Sequence, residues 1–192
     1  MERLKAFLAS RNKHKLRELA AALPDWELGL LAASDYPAED GESYFENARL
    51  KARFARDVGP PDAWVLGEDS GLEVGGLGGR PGLRSARYAG PGQDPNAKLL
   101  AELQGVGGPG RRARYVCELV GISPEGTEVR GTGVLEGSIA LEPRGSEGFG
   151  YDPVFVPDGE ERTVAELGDA WKRKASHRAR AARALGKRVR EL

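Results

Sequence analysis

Short apolar runs alternate along this chain with stretches in which apolar residues recur every three or four positions. The runs Leu4 to Ala9, Trp26 to Leu31, Ala63 to Leu66 and Val154 to Val156 predict strands. Between the first two, Leu16, Leu19, Ala20 and Leu23 fall on one helical face, and Pro24 stops that helix. A second helix opens at Ser43, with Glu46 three residues on as in a capping box. It carries Phe45, Ala48, Ala52 and Ala55 on one face and ends before Gly59-Pro60-Pro61. A third, capped by Asp94 or Asn96, runs through Leu99, Leu100 and Leu103 until the glycines from Gly105 to Gly110 break it. Arg112 to Ser123 and Thr127 to Leu141 are β-rich and joined by Pro124-Glu125-Gly126, which predicts a long hairpin. Thr163 to Leu167 begins a short helix, and Ser176 caps a last one with Ala179, Ala182, Leu185 and Val189 on its apolar face. No internal repeat or low-complexity linker interrupts the pattern, so residues 1–192 read as one globular domain.

A chain of 192 residues buries a sizeable core without disulfide or metal staples. Its 29 basic and 29 acidic residues balance, so the whole-molecule field favours neither nucleic acid nor an anionic membrane. The balance fails toward the C-terminus, where Lys172 to Arg190 carries basic residues and no acid. A nucleic-acid-binding role for that segment is opposed by the neutral total and by the acid-rich loop at 36–46. Cys117 is the only cysteine, which excludes an intrachain disulfide and reads as a small buried core thiol. The polar start Met1-Glu2-Arg3-Leu4-Lys5 is unlike a signal peptide, and no run approaches about 18 apolar residues. The expectation is a soluble, cytoplasmic protein with no membrane partner.

Candidate chemistry gathers at Gly67-Glu68-Asp69-Ser70-Gly71. The apolar run before it predicts a buried strand ending in two adjacent carboxylates, and open α/β sheets bind ligands at strand ends. Two acids held there repel each other unless a cation joins them, and hard oxygen donors favour Mg²⁺. Glu39, Asp40, Glu42 and Glu46 cluster shortly before, and any one of them could complete a metal site. The first helix begins with Lys13, His14, Lys15 and Arg17, where the macrodipole favours acids. An anion seated on that helix start, with Ser10, Arg11 and Asn12 before it, resolves the conflict and resembles a phosphate cradle. The glycine run from Gly75 to Gly82 predicts a flexible loop passing close to a ligand, and Gly148-Phe149-Gly150-Tyr151-Asp152 suits stacking on a flat base.

Six segments occur in order: Ser10-x-Asn12-x-x-Lys15, Phe45-Glu46-Asn47-Ala48-x-x-Lys51-Ala52, Glu68-Asp69-Ser70-Gly71-Leu72, Pro81-Gly82-x-x-Ser85-Ala86-Arg87-Tyr88, Gly148-Phe149-Gly150-Tyr151-Asp152-Pro153 and Ser176-His177-Arg178. Together they closely resemble the inosine/xanthosine triphosphate pyrophosphatases, house-cleaning enzymes for non-standard purine nucleotides. The resemblance implies an α/β fold with an elongated mixed β-sheet, flanking helices and two lobes around a central nucleotide cleft, usually as a homodimer. It implies Mg²⁺-dependent hydrolysis of ITP, dITP and XTP to the monophosphate and pyrophosphate. By motif, Ser10, Arg11, Asn12, Lys13, His14 and Lys15 bind the triphosphate, and Glu39, Glu68 and Asp69 ligate the metal. Asp69 is also the general base, with Ser70 touching substrate. Phe149, Gly150, Tyr151, Asp152, Lys172, His177 and Arg178 form the base pocket. Many members carry Asp-Asp where this chain has Glu68-Asp69, which leaves the ligand set open. A 6-keto purine needs donors facing O6, and Lys172, His177 and Arg178 are donors.

Overall fold

The computed structural model describes residues 3–192; Met1 and Glu2, where the polar N-terminus begins, lie outside the described residues. The strands are β1 (Leu4–Leu8), β2 (Trp26–Leu30), β3 (Trp64–Val74), β4 (Arg112–Ile122), β5 (Glu128–Ile139) and β6 (Phe155–Pro157). They form one sheet in the order β2-β1-β3-β4-β5-β6. It is mixed: β1 runs parallel to β2 and β3, with Leu4 opposite Trp26 and Ala6 opposite Trp64, while β6 is antiparallel to β5. The helices are α1 (Lys13–Ala22), α2 (Tyr44–Val58), α3 (Pro95–Glu102), α4 (Val164–Ala175) and α5 (His177–Val189). The fold is therefore α/β, a mixed sheet with flanking helices, as expected. Among the described residues no helix is long and apolar enough to cross a membrane.

The chain forms two compact units: Met1–Asp69 with Cys117–Gly133 and His177–Leu192, and Ser70–Val116 with Val134–Ser176. In the first, successive residues of β3 serve opposite faces, as strand geometry demands. Trp64 and Leu66 join Leu8, Leu19, Leu119 and Leu185 under α1 and α5, whereas Val65 joins Ala48, Ala52 and Ala55 of α2. Both helix layers lie unusually close to the strands. A Cβ at Gly67 would overlap the Ala48 carbonyl oxygen, and one at Gly133 would overlap that of His177. Only glycine admits such backbone contact, and these two positions fix where α2 and α5 stand.

The second unit has one core, in which Leu72, Leu99, Leu103, Tyr115, Tyr151, Phe155 and Val164 pack together. Tyr115 and Phe155 meet with ring centroids 4.7 Å apart. Asp94, not Asn96, caps α3 by accepting the Asn96 amide hydrogen at 2.9 Å. Thr163 and Glu166 form a full capping box on α4, which is longer than expected and kinks at Gly168, where φ is 77°.

Three local expectations are corrected. The strand expected to end in Glu68 and Asp69 runs on to Val74. Gly67 to Gly71 has turn composition, yet β3 has β1 and β4 as its sheet neighbours, and that pairing overrules propensity. The glycine run from Gly75 is not a free loop: Gly75–Leu77 is a 3-10 turn, and a Cβ at Gly76 would crowd the Gly110 carbonyl oxygen. The capping box of α2 is half-formed. Ser43 Oγ accepts the Glu46 amide at 3.2 Å, but Glu46 Oε2 accepts the amide of Glu42, at 2.7 Å, which ties the acidic loop to the helix.

Candidate active site

Because β3 does not end at Asp69, the two acids lie within the strand and point to opposite faces. Asp69 faces α2. Gly67 lets that helix approach, and this brings Asn47 and Lys51, one turn apart, onto the carboxylate. Asn47 Nδ2 donates to Asp69 Oδ2 at 2.9 Å, and Lys51 Nζ stands 3.8 Å from Asp69 Oδ1. The same ammonium donates to Glu39 Oε1 at 2.6 Å. Asn47 Oδ1 accepts the Gly41 amide at 2.9 Å and so holds the acidic loop against the helix. Burial dominates the Asp69 carboxyl and lifts it above its ordinary value; Lys51 and Asn47 offset part of this, and Glu68 and Glu39 reinforce it. A carboxylate that is poised upwards in this way suits a proton acceptor.

Glu68, 1% exposed, faces α1 and α5. Lys15 Nζ lies 2.6 Å from Glu68 Oε2, and Arg178 Nε donates to Glu68 Oε1 at 3.1 Å. Arg178 Nη1 in turn donates to Glu18 Oε2 at 2.6 Å. Burial alone would raise Glu68, but Lys15, Arg178 and Lys51 outweigh it and hold the carboxyl well below its usual range. Lys15 is raised: burial would lower it, and Glu68 overrides that. The Cys117 thiol, fully buried, reaches Glu68 Oε1 at 3.5 Å. Burial first, and Glu68 next, push that thiol well up, so it is an inert core group as expected.

A cleft of about 330 Å³ is lined by Ala9, Ser10, Arg11, Lys15, Tyr36, Pro37, Glu39 and Lys51. Every lining residue belongs to the first unit. Asn12 caps α1 by accepting from His14 N and Lys15 N, and Ser10 Oγ accepts from Asn12 N at 3.0 Å. These bonds turn the loop so that Ser10, Arg11 and Lys15 face the cleft, while Lys13 and His14 are exposed and do not line it. Arg11 lies over the Tyr36 ring, 5.3 Å from its centroid, and donates to the Ser34 carbonyl. Three cations and one carboxylate on the walls, with Asp69 behind Lys51, make this a place for a polyanion carrying a cation.

No group of three or more His, Cys, Asp or Glu among the described residues could hold a metal ion. Magnesium bound to a polyphosphate needs only one or two protein carboxylates, because phosphate and water oxygens complete its shell. Glu39 and Asp69 meet that requirement, since both already converge on one cation, the Lys51 ammonium. Glu68 does not join them: it is on the other face, held by Lys15 and Arg178. Glu39 is half-buried, whereas Asp40 and Glu42 are exposed.

In the second unit Lys172 Nζ donates to Asp152 Oδ2 at 2.6 Å, both side chains being buried. The Phe149 amide donates to the same oxygen at 2.9 Å, and the Lys172 ammonium stands 4.8 Å from the Phe149 ring centroid. Gly148 has φ 82°, and a Cβ there would overlap Asp152 Oδ2, so only glycine closes this loop. Phe149, Asp152 and Lys172 are thus brought into one cluster, with Gly150 and Tyr151 in its loop. Ser70 lies half-buried in β3. His177 and Arg178 begin α5 in the first unit, and Arg178 engages Glu68 and Glu18. Sequence reasoning assigned no role to Asn47, Lys51 or Glu18. Asn47 and Lys51 interrupt, at helical spacing, the otherwise apolar buried stripe of α2, and that was the signal available for them.

Known proteins share both the sequence and the fold. The sequence pattern of the Ham1 family matches residues 6–188. A dITP/XTP pyrophosphatase of Bdellovibrio bacteriovorus is 43% identical over 191 residues, spanning 95% of this chain and 96% of the relative. One from Thermus thermophilus is 42% identical over 189 residues, spanning 95% and 90%. A HAM1 protein from Coxiella burnetii superimposes with TM-score 0.84 at 35% identity, covering 98% of this chain and 100% of that one. A dITP/XTP pyrophosphatase from Mycobacterium abscessus gives 0.73 at 40% identity, covering 95% and 97%.

Proposed function

This chain belongs to the Ham1 family, and on that premise we propose that it is a pyrophosphatase of non-standard purine nucleoside triphosphates. It releases pyrophosphate from ITP, dITP and XTP and leaves the monophosphate. The observation that carries this reading is the cleft in which Ser10, Arg11, Lys15 and Lys51 meet Glu39, with Asp69 within 3.8 Å of Lys51.

Arg11, Lys15 and Lys51 bind the triphosphate as charge-assisted donors and stabilise the charge that builds on the departing pyrophosphate. Water attacks the α-phosphorus, and Asp69 accepts its proton. Asn47 keeps that carboxylate in one orientation by bonding Oδ2. Glu39 and Asp69 would hold Mg²⁺ together with phosphate oxygens, and the ion when bound supplies charge neutralisation and a more acidic water. Glu68 serves as the buried counter-ion of Lys15 and Arg178. Lys172 presents donors to O6 of a 6-keto purine, with Phe149 as the stacking face; adenine offers an amino group there and leaves donor against donor. Such a mismatch discriminates by as much as about 10⁴-fold.

The test is pyrophosphate release from ITP, XTP, dITP, ATP and GTP, with Mg²⁺ and with EDTA. The expected result is rapid release from the first three, slow release from ATP, and none in EDTA, with GTP showing whether any group besides the O6 donors selects the base. Orthophosphate as product would overturn the reaction, and full activity in EDTA would overturn the metal.

A further inference from the structure

The loop from Gly148 to Asp152 flanks Phe149 with two left-handed glycines, at φ 82° and 64°. Glycine has no side chain to brace the backbone, so beyond the Phe149 amide's bond to Asp152 Oδ2 the ring's placement depends on hydrogen bonds from outside the loop. At its far end the Tyr151 hydroxyl donates to the Ser85 carbonyl at 2.8 Å, and the Ala165 amide donates to the Asp152 carbonyl at 3.1 Å. At Gly150 the bond comes from Asn96, whose Nδ2 donates to the carbonyl oxygen at 2.9 Å. A carbonyl only accepts, which fixes the amide's orientation. Asn96 is buried at the start of α3, and its backbone amide is committed to Asp94.

The other half of the same side chain gains nothing from its position. Asn96 Oδ1 is buried and has no hydrogen-bond partner among the described residues. An unsatisfied buried acceptor costs free energy that an apolar residue of similar size would avoid. What asparagine supplies here, and an apolar residue cannot, is the donor to Gly150.

We propose that Asn96 is a positioning residue for purine discrimination, holding the Gly148 to Asp152 loop so that Phe149 and Lys172 meet the base in one fixed arrangement. The inference rests on the function proposed above, and nothing in it touches Asp69 or the triphosphate cleft. Loss of the bond frees the Gly150 carbonyl, and the ring and the Asp152–Lys172 pair lose their common reference.

Asn96→Asp keeps the shape, removes the donor and sets an acceptor against the Gly150 carbonyl. We expect the KM for ITP to rise about tenfold while kcat stays within about twofold, because a charged or unsatisfied hydrogen bond is of that size. The ratio of kcat/KM for ITP to that for ATP should fall by about the same factor. Circular dichroism and thermal melting establish that the variant is folded. Unchanged KM and unchanged discrimination overturn the proposal, and so does an equal loss on both nucleotides carried by kcat. If Asn96→Asp does not fold, Asn96→Ser removes the reach without adding charge and is read the same way; failure of both to fold also overturns the proposal, since the bond then serves the whole unit. A wild-type protein that releases no pyrophosphate from ITP overturns the proposed function instead, so the two failures are distinct.

Discussion

Glu68 and Asp69 are neighbours in sequence and carry the same charge, yet the two faces of β3 treat them oppositely. On the face toward α1 and α5, two cations close on Glu68 and hold it well below its ordinary value despite complete burial. On the face toward α2, Asp69 meets the Lys51 ammonium at 3.8 Å and the Asn47 amide at 2.9 Å, and burial carries it upward. The first is a saturated counter-ion, the second an acid kept responsive. What separates them is mainly partner geometry on the two sides of a single strand, to which the neighbouring Glu68 charge adds by pushing Asp69 further upward.

The largest break in this contrast should come from Asp69→Asn. It keeps shape and removes the proton acceptor, so pyrophosphate release should fall by about 10³-fold or more, while circular dichroism remains that of the native fold. Retention of near-full turnover would show that Asp69 is not the base. Glu68→Gln attacks the other face. It removes the charge that Lys15 and Arg178 share and leaves Arg178 with Glu18 alone, so the urea midpoint should fall by the equivalent of about 3 kcal/mol.

The same pair makes opposite predictions for pH. Glu68 is depressed in the folded state, so its stabilisation is complete above the ordinary value of 4.5 and is lost as pH falls through the depressed one. Asp69 is raised, so its contribution is present below the ordinary value of 3.8 and is lost as pH rises through the folded-state one. Stability measured by urea unfolding at acid pH should therefore depend less on pH in Glu68→Gln than in the wild type.

Lys51→Met tests the link between Asp69 and Glu39. Turnover should drop about 10²-fold, the size of effect expected when reacting groups lose their alignment. An unchanged rate would mean that the two acids hold their places without it. The smallest effect belongs to Cys117→Ala, which deletes a thiol behind Glu68. Stability should fall by about 1 kcal/mol in a thermal melt, with ITP hydrolysis intact.

Much of this architecture was legible beforehand. The helix faces of α1, α2 and α5, the hairpin of β4 and β5 and the inert thiol all follow from periodicity and residue type, which act over a few neighbouring positions. The continuation of β3 through Gly67 to Gly71 was not legible, because turn-forming residues gave way to strands pairing from both sides. Nor were Asn47 and Glu18, whose roles arise from residues 22 and 160 positions away.

By itself, the sequence determined that carboxylates, cations and glycines stand in an order shared with the Ham1 family, and that two acids fall side by side on one β-prone segment. Only the tertiary structure decided that those acids part company, because side chains alternate along a strand and each face acquires its own helices. Local composition sets which groups are available; the close approach of α2 over Gly67 and of α5 over Gly133 sets which of them meet.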